Sequence, residues 1–215
     1  MKARTRIKIC GVSQPEDVAA AVESGADAVG FVFHPRSPRH VSVDRAAALA
    51  AQLPPFVTPV GLFVDASRAA IEAAIAAIGP LVLQFHGDEA PESCASFGRA
   101  YLKAARMSPG VDLLDCARRF EGASALILDA DVEGHGGGGK VFDWSLVPRG
   151  VAHRLVLSGG LHAANVGSGI AAIRPYAVDV SSGVESSRGV KDAAAIRRFC
   201  DAVREADARI DASVT

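Results

Sequence analysis

The chain has 215 residues, 49% of them hydrophobic, and a formal net charge of −1 at pH 7. This length and apolar content suit one well-packed domain, and the nearly neutral charge argues against nucleic acids or membranes as partners. No apolar run reaches the ~18 residues that a membrane-spanning helix requires. The cysteines are scattered without a C-x-x-C pair, which favours a reduced, cytoplasmic protein over a disulfide framework; they are Cys10, Cys94, Cys116 and Cys200.

Short apolar segments alternate with helical patterns along the whole chain. Residues 6–10 form a predicted first strand, and Ser13 with Glu16 fits a capping box for the helix that follows. Further strands are predicted at 28–33, 60–64, 81–85, 101–104, 125–128, 155–157 and 178–180. Helices are predicted between these strands. The second begins after Ser42, the third contains Ile71, Ile75 and Ile78, and the fourth contains Cys94 and Phe97. The fifth covers about 111–120, and the last contains Ile196, Phe199 and Val203.

Apolar strands that alternate with helices indicate a parallel sheet covered by helices. Both a doubly wound sheet and a closed (β/α)8 barrel satisfy that description. Roughly eight β/α units, with polar residues at nearly every carboxyl end of a strand, favour the barrel. The sequence therefore predicts a single-domain (β/α)8 TIM barrel over residues 1–215.

Two glycine- and serine-rich loops follow the last two predicted strands. One contains Gly159 and Gly160, and the other contains Ser181 and Ser182, two and three residues after Asp179. Glycine lets backbone N–H groups approach an anion, serine adds hydroxyl donors, and a following helix N-terminus attracts negative charge. Each loop alone could be an ordinary turn, but the pair predicts a phosphate site after strands 7 and 8 of a barrel.

Other polar residues fall at carboxyl ends of strands, which face one pocket in a barrel. Cys10 and Asp129 are candidates for proton transfer, although a buried cysteine is often inert packing and an aspartate after a strand is often a cap. Arg39 is a candidate carboxylate clamp, with Arg36 as the alternative. Gln84 and His86 are candidate substrate-binding residues. The other histidines lack ligand-like spacing, so no metal site is expected.

Several motifs resemble one family in order along the chain. They are Lys8–Gly11, Gly25–Phe31, Ser37–Arg39, Val60–Val64, Gln84–Gly87, Gly139–Trp144, Leu157–Leu161 and Asp179–Glu185. The chain resembles the phosphoribosylanthranilate isomerase family from end to end, apart from a ragged tail after about residue 204. It departs from the family's usual residues at Ala130, Gly138, Val141 and Ala163, which could alter the loop around Asp129.

The resemblance implies a cofactor-free Amadori rearrangement in tryptophan biosynthesis. N-(5-phosphoribosyl)anthranilate would become 1-(2-carboxyphenylamino)-1-deoxyribulose 5-phosphate in a cytoplasmic monomer or homodimer. By resemblance, Cys10 is the general base, Asp129 the general acid and Arg39 the residue that binds the anthranilate carboxylate. The phosphate would lie on the two loops, which supply Gly159, Gly160, Ser181 and Ser182, with Asp179 among the substrate-binding residues.

Three other functions remain possible from the residues alone. A two-carboxylate aminoaldose isomerase would need an aspartate where Cys10 stands. A metal-dependent epimerase would need a His/Asp ligand set, which the sequence does not offer in a recognisable spacing. A non-catalytic sensor of phosphate ligands could keep the two loops, but it would have no use for Cys10 opposite Asp129.

Overall fold

Eight parallel strands close into a barrel in the order β1 to β8 in a computed structural model, which describes residues 4–108, 110–130, 141–148 and 150–212. Strand β1 pairs with both β2 and β8, so the barrel prediction is confirmed and the doubly wound sheet is excluded. The strands are β1 (Arg6–Cys10), β2 (Ala28–Val32), β3 (Thr58–Phe63), β4 (Val82–Phe85), β5 (Tyr101–Met107), β6 (Ala125–Ala130), β7 (Leu155–Leu157) and β8 (Ala177–Val180).

Helices surround the barrel. They are α1 (Pro15–Glu23), α2 (Val43–Ala50), α3 (Arg68–Ile78), α4 (Pro91–Ala95), α5 (Leu113–Arg119), α6 (Val166–Ile173) and α7 (Ala193–Ala212). A 3-10 turn at Trp144–Leu146 precedes β7, and another at Ser182–Val184 follows β8. Helix α4 is shorter than expected and leaves Phe97 outside it. Most of the glycine-rich segment after β6, with Gly138 and Gly139, lies outside the described residues.

Local signals at the helix starts are partly as predicted. Ser42 caps α2 through its side chain, which accepts a hydrogen bond from Arg45 N at 3.2 Å. A capping box is present at the start of α1, but it pairs Gln14 with Asp17 and not Ser13 with Glu16 as predicted. There the Asp17 carboxylate accepts from the backbone N–H groups of Ser13 and Gln14, both at 3.0 Å. The reason is that the helix begins at Pro15, which puts residue 17 at the third helical position.

Side chains of the strands alternate between two cores, because successive residues point to opposite faces. The larger core lies between the strands and the helices. The smaller one fills the barrel with short side chains from β5 to β8: Ala104, Ala125, Ile127, Val156 and Ala177. Asp129 follows Ile127 by two residues, and Asp179 follows Ala177 by two, so both carboxylates share the interior face. The barrel thus becomes polar toward the carboxyl ends of its strands.

The end of the chain closes the fold against its beginning. A short antiparallel hairpin, β9 (Glu185–Ser187) with β10 (Val190–Lys191), separates β8 from α7. Helix α7 continues past residue 204, where the family resemblance becomes irregular, and its Asp207 carboxylate accepts hydrogen bonds from the backbone N–H and hydroxyl of Thr5, at 2.8 and 2.7 Å. None of the helices in the described ranges has the length and hydropathy to cross a membrane.

Candidate active site

Cys10 ends β1 above a buried ion pair. The Lys8 ammonium, two residues earlier on the same face of the strand, lies 2.8 and 2.9 Å from the two oxygens of the Asp179 carboxylate. Strand β2 supplies Gly30 opposite, where an added Cβ would lie 2.9 Å from the Cys10 Sγ and 3.2 Å from the Lys8 Cε. A larger residue at this position would push against both groups, so the glycine makes room for the thiol beside the lysine.

The environment of Cys10 has opposing electrostatic effects. Burial, and to a smaller extent the Asp179 carboxylate, raise the pKa of the thiol above its ordinary value, while the positive charges of Lys8 and Lys191 act in the opposite direction. Burial also disfavours the charged form of Lys8, but the Asp179 carboxylate outweighs it and the pKa of the ammonium is raised. Cys10 is therefore a protonated thiol in the free site, next to a permanent positive charge that stabilises a thiolate once it forms.

Asp129 is held by a chain of polar side chains across the ends of β4 and β6. Its Oδ2 lies 2.8 Å from His86 Nε2, and His86 Nδ1 lies 3.2 Å from Gln84 Nε2. Gln84 is fully buried, whereas the side chains of His86 and Asp129 are 20% and 15% exposed. Three of the predicted site residues thus form one hydrogen-bonded unit, and β1 and β6 place Cys10 and Asp129 on well-separated sides of the barrel mouth.

The two predicted phosphate loops lie side by side at this end of the barrel. Gly159 and Gly160 have positive φ angles of +78° and +64°, and their N–H groups donate no hydrogen bond to any residue that the structure describes. A Cβ at Gly159 would lie 3.0 Å from Asp129 Oδ1, and a Cβ at Gly183 would overlap the Leu161 carbonyl oxygen. The loops therefore need glycine at these points, and the first loop packs directly against the candidate acid.

Arg39 is buried rather than free in its loop. Its Nε and Nη2 donate to the two oxygens of Glu185 at 2.6 and 2.9 Å, and Glu185 also accepts from Lys191 Nζ at 2.8 Å. Burial alone would raise the pKa of Glu185, but the Arg39 and Lys191 contacts hold it below its usual range. The Arg39 stem packs on Gly11, one residue after Cys10, whereas Arg36 is exposed. This location favours Arg39 over Arg36 as the residue of the site.

A direct substrate contact for Asp179 stays a prediction. Its carboxylate, grouped by sequence with the phosphate loop, is 4% exposed and engaged with Lys8 inside the barrel. Ser181 and Ser182 are partly exposed above it, and the Ser181 carbonyl accepts a hydrogen bond from Lys191 at 2.9 Å. Within the described ranges, His, Cys, Asp and Glu form no cluster of three or more that could hold a metal ion.

Comparison with known proteins gives the family of this site. Residues 7–202 match the family model for N-(5'-phosphoribosyl)anthranilate isomerase. A relative of that name from Methylibium petroleiphilum is 68% identical over 210 residues, which cover 98% of this chain and 99% of the relative. The chain belongs to the phosphoribosylanthranilate isomerase family.

Solved phosphoribosylanthranilate isomerase structures have the same barrel. One, of monomers of the dimeric enzyme from Thermotoga maritima, has a TM-score of 0.82 at 38% identity, covering 93% of this chain and 98% of that one. Another, in complex with reduced 1-(o-carboxyphenylamino)-1-deoxyribulose 5-phosphate, has a TM-score of 0.83 at 39% identity, covering 94% and 99%.

Phosphoribosylanthranilate isomerase is an Amadori-type isomerase of tryptophan biosynthesis, and this is the activity that the family assigns to the chain. The prediction from the sequence motifs is confirmed at this level. The three alternative functions, another aminoaldose isomerase, a metal-dependent epimerase and a phosphate sensor, are set aside by the family membership.

Three residues of this phosphoribosylanthranilate isomerase site were missed as site residues by the sequence analysis. Lys8 was visible as a lone lysine in an apolar strand, on the same face as Cys10, and period-2 alternation could have found it. Glu185 and Lys191 carry no comparable signal, because Glu185 pairs with Arg39, which is 146 residues away along the chain, and Lys191 joins the site through Glu185.

Proposed function

We propose that Cys10 is the general base and Asp129 the general acid for the rearrangement of N-(5-phosphoribosyl)anthranilate. The observation that carries this proposal is the position of the two groups. They lie on separate sides of the barrel mouth, with the glycine loop that would bind the phosphate packed against Asp129 Oδ1. A phosphate bound on Gly159 and Gly160 would bring the attached ribose between the two groups.

The first step opens the ribose ring. Asp129 donates a proton to the ring oxygen as the bond from that oxygen to C1 breaks, and the nitrogen lone pair forms the C1=N bond of a Schiff base. The nearness of Asp129 to the phosphate loop supports this role, since ribose lies next to its own phosphate. General acid catalysis of this kind contributes typically 10²–10⁴-fold.

The second step moves the proton on C2. The Cys10 thiolate removes it, and the electron pair of the C–H bond moves toward the cationic nitrogen to give an enolamine, which tautomerises to the aminoketose. The positive charge of the Schiff base acidifies this proton, and Lys8 stabilises the thiolate. Both steps are internal proton transfers, so the proposed reaction needs no cofactor.

Arg39 would bind the anthranilate carboxylate. A guanidinium has five N–H donors, and Glu185 occupies one edge of it, so the other edge remains for a second carboxylate. His86 would line the same pocket beside Asp129, with the fully buried Gln84 behind it. We further propose that residues 1–215 act as one cytoplasmic catalytic domain, monomeric or homodimeric, with this small phosphosugar as partner and no nucleic acid or membrane.

The test is a fluorescence assay with freshly prepared phosphoribosylanthranilate. With purified protein, the fluorescence of the substrate is expected to decrease at a rate proportional to enzyme concentration. Formation of the aminoketose, an isomer of the substrate, is checked by borohydride reduction and chromatography. Absence of conversion at micromolar enzyme would contradict the proposal. A matched control with Gly160→Val should convert substrate poorly, because the side chain blocks the approach of the phosphate to the backbone.

A further inference from the structure

The chain of hydrogen bonds behind Asp129 begins at a side chain that is too deep to touch substrate. Gln84 is fully buried on β4, and its Nε2 lies 3.2 Å from His86 Nδ1. An amide nitrogen is a donor only, so Nδ1 must be the acceptor and carries no proton. The single ring proton of a neutral His86 then lies on Nε2, which donates to Asp129 Oδ2 at 2.8 Å.

We propose that Gln84 is a positioning residue that keeps His86 uncharged, so that the catalytic proton stays on Asp129. This inference rests on the proposed role of Asp129 as the acid. The acid could otherwise lose its proton to its neighbour, because a carboxylic acid with a neutral imidazole and a carboxylate with an imidazolium have the same total charge. An imidazolium needs an acceptor at Nδ1, and the Gln84 N–H group occupies that position.

The two oxygens of Asp129 have different surroundings, which gives the proton a direction. Oδ2 is occupied by the N–H of His86, while Oδ1 faces the glycine loop, 3.0 Å from where a Cβ of Gly159 would lie. A proton on Oδ1 therefore points toward the side on which the substrate would bind. The His86 N–H fixes the plane of the carboxyl group, so the acid is held ready to donate.

The orientation of the Gln84 amide is itself defined by its burial. The carbonyl oxygen Oε1 is buried without a hydrogen-bond partner among the described residues. Turning the amide over would place two N–H donors in that same position, and two unpaired donors cost more than one unpaired carbonyl oxygen. The unpaired Oε1 is thus the smaller of two penalties, and it is the cost of presenting a donor to His86.

The experiment compares Gln84→Glu and Gln84→Met with the wild type. Glutamate offers an acceptor at Nδ1 and should move the proton from Asp129 to His86, whereas methionine offers neither donor nor acceptor. The matched controls are Gln52→Glu and Gln52→Met on the surface, where the glutamine only bonds to the Ala48 carbonyl. Circular dichroism and thermal unfolding confirm folding of each variant.

The first readout is ¹⁵N NMR of histidine-labelled protein, with the His86 signals identified by their loss in His86→Asn. We expect Nδ1 to be unprotonated in the wild type within about one pH unit of neutral. In Gln84→Glu we expect Nδ1 to be protonated over the same range. If Gln84→Glu does not fold, Gln84→Met decides, because Nδ1 should then protonate at a higher pH than in the wild type.

The second readout is the split between kcat and KM. We expect kcat to fall on the order of 10²-fold in Gln84→Glu and roughly tenfold in Gln84→Met, with KM changed less than about twofold, because the acid is affected and binding is not. A protonated Nδ1 in the wild type, identical His86 signals in all variants, or a loss expressed only in KM would each overturn the inference. The NMR result does not depend on turnover, so it separates failure of this inference from failure of the proposed reaction.

Discussion

The Cys10 side and the Asp129 side of the barrel mouth have different chemical surroundings. On the Cys10 side, the thiol is 5% exposed and lies beside a charged pair, Lys8 with Asp179. On the Asp129 side, the carboxyl group is partly exposed and lies in a hydrogen-bonded chain that runs through His86 to the buried Gln84 amide. A base must lose its proton and an acid must keep it.

In the proposed mechanism, this contrast lets one pocket hold an ionised thiolate and a protonated carboxyl group. A positive charge favours an ionised thiolate, and a neutral donor at Asp129 Oδ2 removes no proton from the acid. If the two sides exchanged neighbours, a cation at Asp129 would favour the carboxylate and an amide at Cys10 would leave the thiol protonated. In the mechanism that we propose, the Lys8 charge serves the base and the neutral His86 donor serves the acid.

Removal of either proton-transfer group should have the largest effect. Cys10→Ala and Asp129→Asn are each expected to lower kcat by roughly 10²–10⁴-fold or more, with a smaller change in KM, because each group acts in the transition state. Cys10→Ser should be nearly as inactive, since a hydroxyl is a far weaker base. Steady-state kinetics measures this, with Cys116→Ala as control. A near-normal kcat in Cys10→Ala would rule out Cys10 as the general base.

The ion pair between Lys8 and Asp179 can be removed without changing the Cys10 thiol. Lys8→Met should lower kcat on the order of 10²-fold, at the low end for a general base, and it leaves the Asp179 carboxylate buried without its partner. Loss of one member of a buried ion pair costs about 3–5 kcal/mol in the free energy of unfolding. The double variant Lys8→Met/Asp179→Leu should recover most of that stability in urea titrations but none of the activity. Recovery of both would make the pair purely structural.

Much of the fold could be predicted because its signals are local. Apolar strands, helix caps and polar residues at the ends of the strands repeat about every 25 residues, and each can be recognised without its neighbours in space. The errors are local too. β6 extends to Ala130, beyond the predicted 125–128, because pairing with β5 continues through Met107.

The site was only partly predictable, because its electrostatics come from distant parts of the chain. Lys8 and Asp179 are 171 residues apart, and Arg39 and Glu185 are 146 apart. Asp179 was expected among the substrate-binding residues. Alternation along β8 turns its side chain into the barrel toward Lys8, and this pairing with Lys8 could not be predicted from the sequence. A sequence shows which side chains stand at the strand ends, whereas the partner of each depends on barrel closure.

Binding of the anthranilate end should depend on Arg39 and not on Arg36. Arg39→Ala is expected to raise KM about 10- to 100-fold, equivalent to about 1.5–3 kcal/mol for a lost hydrogen bond to a charged group. Arg36→Ala, on the exposed part of the same loop, should change KM less than about twofold. Steady-state kinetics compares KM in the two variants. A larger increase in KM for Arg36→Ala than for Arg39→Ala would show that the carboxylate-binding residue is misassigned.

The pH dependence of the Cys10 side should be the most diagnostic effect. Because burial raises the pKa of the Cys10 thiol, only a minor fraction is thiolate at neutral pH, and that fraction grows with pH. We therefore expect kcat/KM to rise from pH 6 to 8 by up to about tenfold per unit while the thiol titrates.

Alkylation by iodoacetamide tests the same ionisation without substrate. Its rate at Cys10, followed by peptide mass spectrometry, should rise with pH in parallel with kcat/KM, and a bound product analogue should protect the thiol. Cys94 and Cys200 serve as internal controls, since burial raises the pKa of each to about 11 and they should stay unmodified over this range. Lys8→Met should displace the Cys10 curve to higher pH, because the thiolate loses its nearest positive charge. A Cys10 rate that is independent of pH, or unmoved by Lys8→Met, would show that the ion pair does not act on the base, and the contrast between the two sides of the mouth would then rest on Asp129 alone.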